Sequence, residues 1–289
     1  MNRVIILFLL SFSCNISLQA QILTGADVKQ PKKSYGILGF QYSNNSVYFG
    51  RADSLRIPYL TPSIEYYDKS GFYIMGYSSV LMSAGENRID MSSVSGGYSF
   101  EKGSLYGDFN IEKYFYNNYS RNVSAEVKGA TSLSLSYDFQ FFQPFINVGI
   151  NFNRKSDTWL NAGVEKSFEF DHNKGNLNPT FSFNGSTRNF YSAYYSNRRF
   201  KRKGVVTSTT ASVPDASQFK IMNIEFSIPF EYKLTKSIAF SFSPTYSIPF
   251  SSATVRYVTS NPAGISTTHF STEQISKQFY FLARMEYRF

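Results

Sequence analysis

The sequence predicts an all-β protein: a single antiparallel transmembrane β-barrel of about twelve strands, with short turns at one end and longer loops at the other. Segment after segment alternates apolar and polar residues with a period of two, the pattern of a sheet with one dry face and one wet face. Short clusters of Gly, Ser, Asp and Lys join these segments in pairs, as hairpins require. After the N-terminus, no run approaches the roughly 20 apolar residues that a membrane-spanning helix needs.

Composition agrees with this. The chain is 42% hydrophobic, 18% aromatic and only 17% charged, with 29 Phe and 22 Tyr among its 289 residues. Disordered chains are depleted in such residues. Aromatic residues mixed with Ser, Thr and Asn suit a wall with one lipid face and one wet face. The net charge of +9 and pI near 9.4 would admit a nucleic-acid partner. However, the densest basic run, RRFKRK at Arg198 to Lys203, lies in a long hydrophilic segment with no stacking motif around it, so no nucleic-acid partner is expected.

Residues 1–20 read as a secretory signal peptide: Arg3 is the positive start, Val4 to Leu10 and Phe12 the apolar core, and Ala20 the residue before the cut. The stretch is too short to be a membrane anchor. A lipid-modified Cys14 would want leucine where Ser11 stands. Removing this leader removes the only cysteine, in keeping with an oxidising compartment. Residues 21–33, which contain Pro31 and two lysines, read as a linker, and residues 34–289 as the barrel.

Ser34 to Asp53 reads as one long strand, which keeps the strand count even, although Asn44 and Asn45 could divide it. Tyr59 to Tyr67 and Phe72 to Ser83 flank the turn Asp68 to Gly71; Ile89 to Phe100 and Leu105 to Tyr116 flank Glu101 to Ser104. In Ser124 to Phe139, Val127, Leu133, Leu135 and Tyr137 share a face opposite Glu126, Lys128, Ser134 and Ser136. Beyond Phe142 to Pro144, Ile146, Val148 and Ile150 alternate with Asn147, Gly149 and Asn151. Trp159 to Phe170 is the least regular strand, because Lys166 falls on the face of Val164 and Phe168. Leu177 to Phe190 follows, then Met222 to Leu234 and Ile238 to Phe250, the two clearest alternations. Counting back from the end, every second connection is short, while Tyr191 to Ser217 and Ser251 to Gln274 are long loops on the opposite side. That asymmetry puts the short turns in the periplasm and the long loops outside the cell.

The last strand, Gln278 to Phe289, sets Phe279, Phe281, Ala283, Met285, Tyr287 and Phe289 on one face. Gln278, Tyr280, Leu282, Arg284, Glu286 and Arg288 occupy the other. A strand ending on an aromatic residue in this way resembles the closing strand of Gram-negative outer-membrane β-barrels. The resemblance implies that Phe279, Phe281, Tyr287 and Phe289 form a signal read by the barrel-assembly machinery, and that the chain resides in the outer membrane after signal-peptide removal. Asp53 to Val80 resembles part of an uncharacterised family of such barrels, which implies no particular activity. Alternation alone does not say which face points inward, and a soluble sandwich or lipocalin-like barrel would bury the apolar one. The leader, the terminal Phe and the richness of the apolar face favour the membrane.

The search for chemistry finds little. The two histidines, His172 and His269, fall in connections. His269 and Ser271 supply the residue types of an outer-membrane lipid hydrolase, but no acidic or amide partner is placed beside them. No metal motif, phosphate loop or GxSxG serine occurs, so no catalytic residue, metal or cofactor is expected. On the polar faces, Glu225, Glu231, Lys233, Arg284, Glu286 and Arg288 are candidate lumen charges. They would act either as a network filling a narrow barrel or as a charged constriction. Arg198, Arg199, Lys201, Arg202 and Lys203 are candidate contacts for lipopolysaccharide phosphates, alongside outer-membrane lipid in general. The expected function is a passive small-solute channel or structural barrel. The alternatives are a lipid-modifying enzyme, or a receptor or adhesin acting through the long loops.

Overall fold

In a computed structural model, residues 33–52, 56–83, 86–118, 120, 127–197, 208–260 and 265–289 are described. The signal peptide, all of the linker except Lys33, and the basic run Arg198 to Lys203 lie outside them.

The chain begins with β1 (Tyr35–Ser43), β2 (Val47–Tyr48) and β3 (Arg51–Ala52). It continues through β4 (Tyr59–Tyr67), β5 (Phe72–Ser83), β6 (Glu86–Lys102), β7 (Leu105–Tyr116), β8 (Gly129–Tyr137) and β9 (Gln143–Phe152). Then come β10 (Asp157–Glu165), β11 (Phe168–Phe170), β12 (Gly175–Leu177), β13 (Thr180–Ser186) and the helix α1 (Asn189–Asn197). The last elements are β14 (Ser208–Ser212), β15 (Lys220–Ser227), β16 (Phe230–Lys233), β17 (Ile238–Pro249), β18 (Thr254–Ser260), β19 (Ser266–Thr272) and β20 (Gln278–Arg288).

Among the described residues, twelve strands pair antiparallel in the order β15-β13-β10-β9-β8-β7-β6-β5-β4-β1-β20-β17, and β17 pairs back onto β15. The sheet is therefore a closed barrel without an edge, as a membrane demands. First and last strands meet in the register Ile37↔Arg288 to Ser43↔Leu282. The alternation expected for β20 is realised: Phe279, Met285, Tyr287 and Phe289 are exposed, while Tyr280, Arg284 and Glu286 are buried. The same holds around the wall, where Phe40, Ile64, Phe72, Ile74, Ile111 and Phe226 point out and Gln41, Glu65, Ser95, Glu112 and Glu225 point in. An apolar exterior around a polar interior is the inverse of a soluble barrel.

At one end of the barrel every connection is short, as the alternation implied; the longest connections share the other end with the short β5–β6 and β9–β10 links. At the turn end, Asp171, His172 and Asn173 all take positive φ, which reverses the chain between β11 and β12. At the loop end, β14, β18 and β19 form a separate three-stranded sheet, so both long connections carry structure of their own.

Four expectations are corrected. Ser34 to Asp53 is not one strand: the wall strand stops at Ser43, and β2 with β3 forms a separate hairpin. Its turn residues Phe49 and Gly50 both have positive φ, the geometry of a tight hairpin turn. Asn44 accepts a bond from the Phe281 amide at 2.8 Å through its side chain, which ends the wall ladder there. The strand expected from Ser124 begins at Gly129, and Val127 is fully buried in the interior cluster rather than on the outer face. Leu177 to Phe190 ends at Ser186 and gives way to α1. Met222, which strict alternation from Met222 to Leu234 sets on the outer face with Ile224 and Phe226, is buried inside, because the pairing of β13 with β15 shifts register between Asn184 and Gly185.

The irregularity at Lys166 has a cause in neighbouring strands. β10/β11, β12/β13 and β15/β16 are three wall strands, each broken near its turn end. Across the breaks Lys166 N donates to Pro179 O, Asn178 N to Pro229 O and Ile228 N to Pro244 O, so a line of prolines crosses the sheet. Proline cannot donate to the ladder, and the three strands are interrupted where the prolines align.

Candidate functional site

The interior has three layers. Nearest the turns is an aromatic floor of Tyr35, Ile37, Tyr67, Tyr73 and Met75. Tyr35 and Tyr67 stack at 5.0 Å, and the Arg288 guanidinium lies 3.8 Å from the Tyr35 ring centre.

Above the floor the lumen is polar and packed. Arg284 on β20 reaches over β1 to Glu65 on β4, with Nη2 to Oε1 at 2.6 Å, and its Nε lies 3.3 Å from Glu286. It crosses above Gly39, where a Cβ would stand 2.8 Å from Arg284 Nη2 and 2.5 Å from Ser63 Oγ. Only a glycine leaves that path open. Ser63 and Tyr67 hydroxyls donate to the two oxygens of Glu65, at 2.9 and 3.0 Å. Glu112 accepts from the hydroxyls of Tyr77, Ser93 and Tyr114. Glu225 accepts from Tyr280 at 3.0 Å and Asn223 at 2.9 Å. Between these acids runs an asparagine ladder: Asn147 donates to Asn161, and Asn161 to Asn184, both at 2.8 Å. Polar side chains buried in this way cost little only when bonded; each of these makes at least one such bond, although Asn147 Oδ1, Asn184 Nδ2 and Asn223 Oδ1 have no partner among the described residues.

The third layer is a plug at the loop end. Hairpin β2–β3 folds into the mouth, where Phe49 and Tyr48 meet Phe190 at the start of α1; the Tyr48 and Phe190 rings are edge-on at 4.7 Å. Gly50 lies so close to the wall that a Cβ would come within 2.9 Å of Asn223 Cβ. Tyr48 accepts from Asn151 at 3.2 Å, and Asn151 accepts from Trp159 at 3.1 Å, which ties plug to wall. Ala211, Val213, Ala216, Ala253 and Val255 from the long connections complete this apolar cluster.

Three charges hold the plug, Asp157 and Arg188 fully buried and Glu273 half-buried. Asp157 of β10 accepts from the amides of Asn189 and Phe190, at 2.6 and 2.8 Å, and so caps α1 from another strand. Arg188, fully buried, pairs with Asp215 at 2.7 Å and donates to Ser252 O at 2.7 Å. Glu273 accepts from Arg51 Nε at 3.0 Å, Tyr191 Oη at 2.8 Å and the Ala253 amide at 3.2 Å. One carboxylate thereby latches the hairpin, the helix and a loop. Asp215 feels burial, which raises its pKa, but the Lys220 hydrogen bond and the Arg188 and Lys220 charges hold it below the usual range.

The candidate lumen charges thus face inward. Glu225, Glu231, Arg284 and Glu286 are buried, and Lys233 and Arg288 half-buried nearer the turns. Of the residues expected to form the assembly signal, Phe279, Tyr287 and Phe289 are exposed on the outer face and Phe281 is half-buried beside Tyr42 and Phe242, and the candidate lipopolysaccharide contacts lie outside the described residues. His269 and Ser271 sit exposed on β19, with no hydrogen bond between them among the described residues, and His172 is exposed in its turn. No cluster of potential metal ligands occurs among the described residues. Sequence reasoning missed Arg51, Asp157, Arg188 and Glu273, whose partners lie far along the chain and leave no local pattern. Against the plug, Lys128, Arg154 and Lys155 line a cavity of about 730 Å³ beside α1.

The closed wall, apolar exterior and packed polar interior define a transmembrane β-barrel of the outer-membrane type. No family model matches the chain. No curated protein matches it either. Among solved structures, the chain is similar to the NanC porin at 9% identity and a TM-score of 0.48, covering 87% of this chain and 98% of that one. It is similar to the CymD monoaromatic hydrocarbon channel at 8% identity and a TM-score of 0.42, covering 94% and 92%. The outer-membrane channel DcaP of Acinetobacter baumannii is 7% identical, with a TM-score of 0.30 over 89% and 96% of the two chains.

Proposed function

We propose that this chain is a passive barrel of the outer membrane, without chemistry of its own, and closed at rest by its own side chains and by the plug. The loop end faces the cell exterior, following the usual asymmetry of short periplasmic turns. One observation carries the closed state. Around the whole wall, each strand contributes a buried inward residue: Gln41, Glu65, Met75, Ser95, Asp108, Ser134, Asn147, Asn161, Ser182, Glu225, Thr245 and Arg284. A water-filled pore would leave this ring wet. A planar-bilayer recording tests the reading: wild type should show no steady conductance at low voltage, and a persistently open channel overturns it.

A small-solute channel is the second reading, and the charge count favours cations as its solutes. Among the described residues, nine buried carboxylates (Glu65, Asp90, Asp108, Glu112, Asp157, Glu165, Glu225, Glu231 and Glu286) stand against three buried guanidinium groups. A path opened by withdrawing the plug would be lined by an acid excess, which selects for cations. The reversal potential of a plug-loosened variant in a salt gradient checks the sign.

A further inference from the structure

The outer wall carries a groove of about 600 Å³ between β5 and β9, facing the membrane. The side chains of Ile74, Val94, Ile111 and Phe152 stand around it, all apolar and all exposed. Gly96 lies between them, in register with Ile74 on one side and Ile111 on the other. A Cβ at Gly96 would meet nothing nearer than the Tyr73 carbonyl, 3.4 Å away. Barrel packing therefore does not require a glycine here, unlike Gly97, where a Cβ would fall 2.3 Å from the Tyr73 hydroxyl. What the glycine provides is an unfilled channel in the lipid face.

Two cations border this groove. Lys113 points outward on β7, in register with Val94 and Gly129, three residues below the strand's loop-end limit at Tyr116. That is on the order of 10 Å from the rim along the strand. Lys128, also exposed, lies at the rim just before β8, where it borders both this groove and the cavity beside α1, and its carbonyl accepts from the Tyr114 amide. Neither lysine makes an ion pair with a carboxylate among the described residues; the contact Lys113 does make is with the Phe115 ring, at 6.0 Å. A lysine on a lipid-facing wall is costly near the midplane and tolerated near the interface, where its stem lies along apolar surface and its ammonium reaches the headgroups. Two ammonium groups towards the loop end of an open apolar groove match one molecule with an acyl chain along the groove and a phosphate at its loop end.

We propose that this groove is a binding site for a phosphorylated lipid of the leaflet on the loop side, with one acyl chain along Gly96 and the phosphate held by Lys113 and Lys128. The occupant is a lipid rather than free phosphate because the groove below the lysines is apolar and of a size that takes a chain. The site is independent of the lumen and of whether the barrel conducts.

The test uses delipidated, refolded barrel in detergent, titrated with dimyristoylphosphatidic acid and, in parallel, dimyristoylglycerol, with bound lipid counted by native mass spectrometry. Wild type should retain one phosphatidic acid per barrel at concentrations where the phosphate-free lipid is lost. The double variant Lys113→Gln/Lys128→Gln should weaken phosphatidic acid binding by about tenfold or more, since two charge-assisted contacts go. Gly96→Leu, which fills the groove, should weaken it comparably while keeping the heat-modifiable folded band. Should that variant fold poorly, Val94→Trp blocks the same groove from a side chain that already points outward. Equal retention of the two lipids by wild type overturns the proposal. So does binding within about twofold of wild type in the double lysine variant, or in a folded variant with the groove filled.

Discussion

The tip of the Phe289 ring lies against Gly36: a Cβ at that glycine would fall 2.5 Å from Phe289 Cζ. The two backbones exchange hydrogen bonds as well, Gly36 N to Phe289 O at 2.9 Å and Phe289 N to Gly36 O at 3.0 Å. The last residue of the sequence is thus the final rung of the seam between β1 and β20, with its aromatic ring folded over the first strand and Tyr287 stacked beside it. Gly36→Val should displace the ring and cost about 1–3 kcal/mol by overpacking. Phe289→Ala keeps the backbone rung, loses only the ring, and should cost less. Heat-modifiability on gels, read as the temperature at which the folded band is lost, ranks the two; the reverse order would show that the ring and not the seam matters. Recognition of this end by the assembly machinery remains a proposal, which a lower folded yield in cells for Phe289→Ala, with normal refolding in vitro, would support.

Arg284 is the hub of the lumen network, and its removal or that of its partner differs in kind. Glu65→Ala leaves a buried guanidinium with Glu286 as its partner and the Tyr67 hydroxyl without its acceptor. Removing one member of a buried pair costs about 3–5 kcal/mol, and the remaining Glu286 contact puts this case at the low end. The double change Glu65→Gln/Arg284→Met should recover most of that loss, since it removes both charges together. Urea midpoints of refolded barrels in lipid test it, and a double variant no better than Glu65→Ala would mean that the pair is not the coupled unit described here.

What the sequence made legible follows from range. The wall of β20 and β17, and of β15 beyond the register shift at Met222, could be read residue by residue, because alternation is local and each face has one solvent. The hairpin at Val47 to Ala52 could not, since Tyr48 and Phe49 continue the same aromatic texture and only the positive φ at Phe49 and Gly50 turns them inward. The helix α1 was missed because its N-terminal cap is Asp157, 32 residues upstream in another strand. The prolines at 179, 229 and 244 were visible, but their alignment into one line of strand breaks depends on register, which the sequence does not state. The latch residue Glu273 sits in a polar stretch like many others, and its partner Arg51 is 222 positions away.

Asp68 offers a check on the turn end by pH. Hydrogen bonds from the Ser70 hydroxyl and amide, and then from the Ser34 hydroxyl, hold its carboxyl down to about 2. A folded value below the unfolded one of about 3.9 means that its contribution is present above pH 3.9 and is lost as pH falls through about 2. The carboxyl carbon of Asp68, followed by NMR in the folded barrel, should titrate near that lower value. Ser70→Ala should move the midpoint upward; an unchanged midpoint would show that the Ser70 hydroxyl is not the cause.

The latch at Glu273 makes the closed state open to a direct test. Its carboxylate holds Arg51 of the hairpin, Tyr191 of α1 and the Ala253 amide at once, so a single truncation releases three segments of the plug. Arg51 also donates to the carbonyls of Phe49 and Ser251, so the hairpin keeps some hold on the mouth without Glu273. Glu273→Ala should therefore produce intermittent conductance rather than a permanently open pore, with the wall strands unaffected. Arg51→Ala/Glu273→Ala should open it further, because both ends of the pair and the carbonyl contacts are then gone. Current recorded through single barrels in a planar bilayer, with the far-ultraviolet circular dichroism unchanged, is the expected result. A silent Arg51→Ala/Glu273→Ala barrel would place the block deeper, in the packed ring around Arg284 and Glu225, and would make the plug a lid over a lumen that is filled regardless.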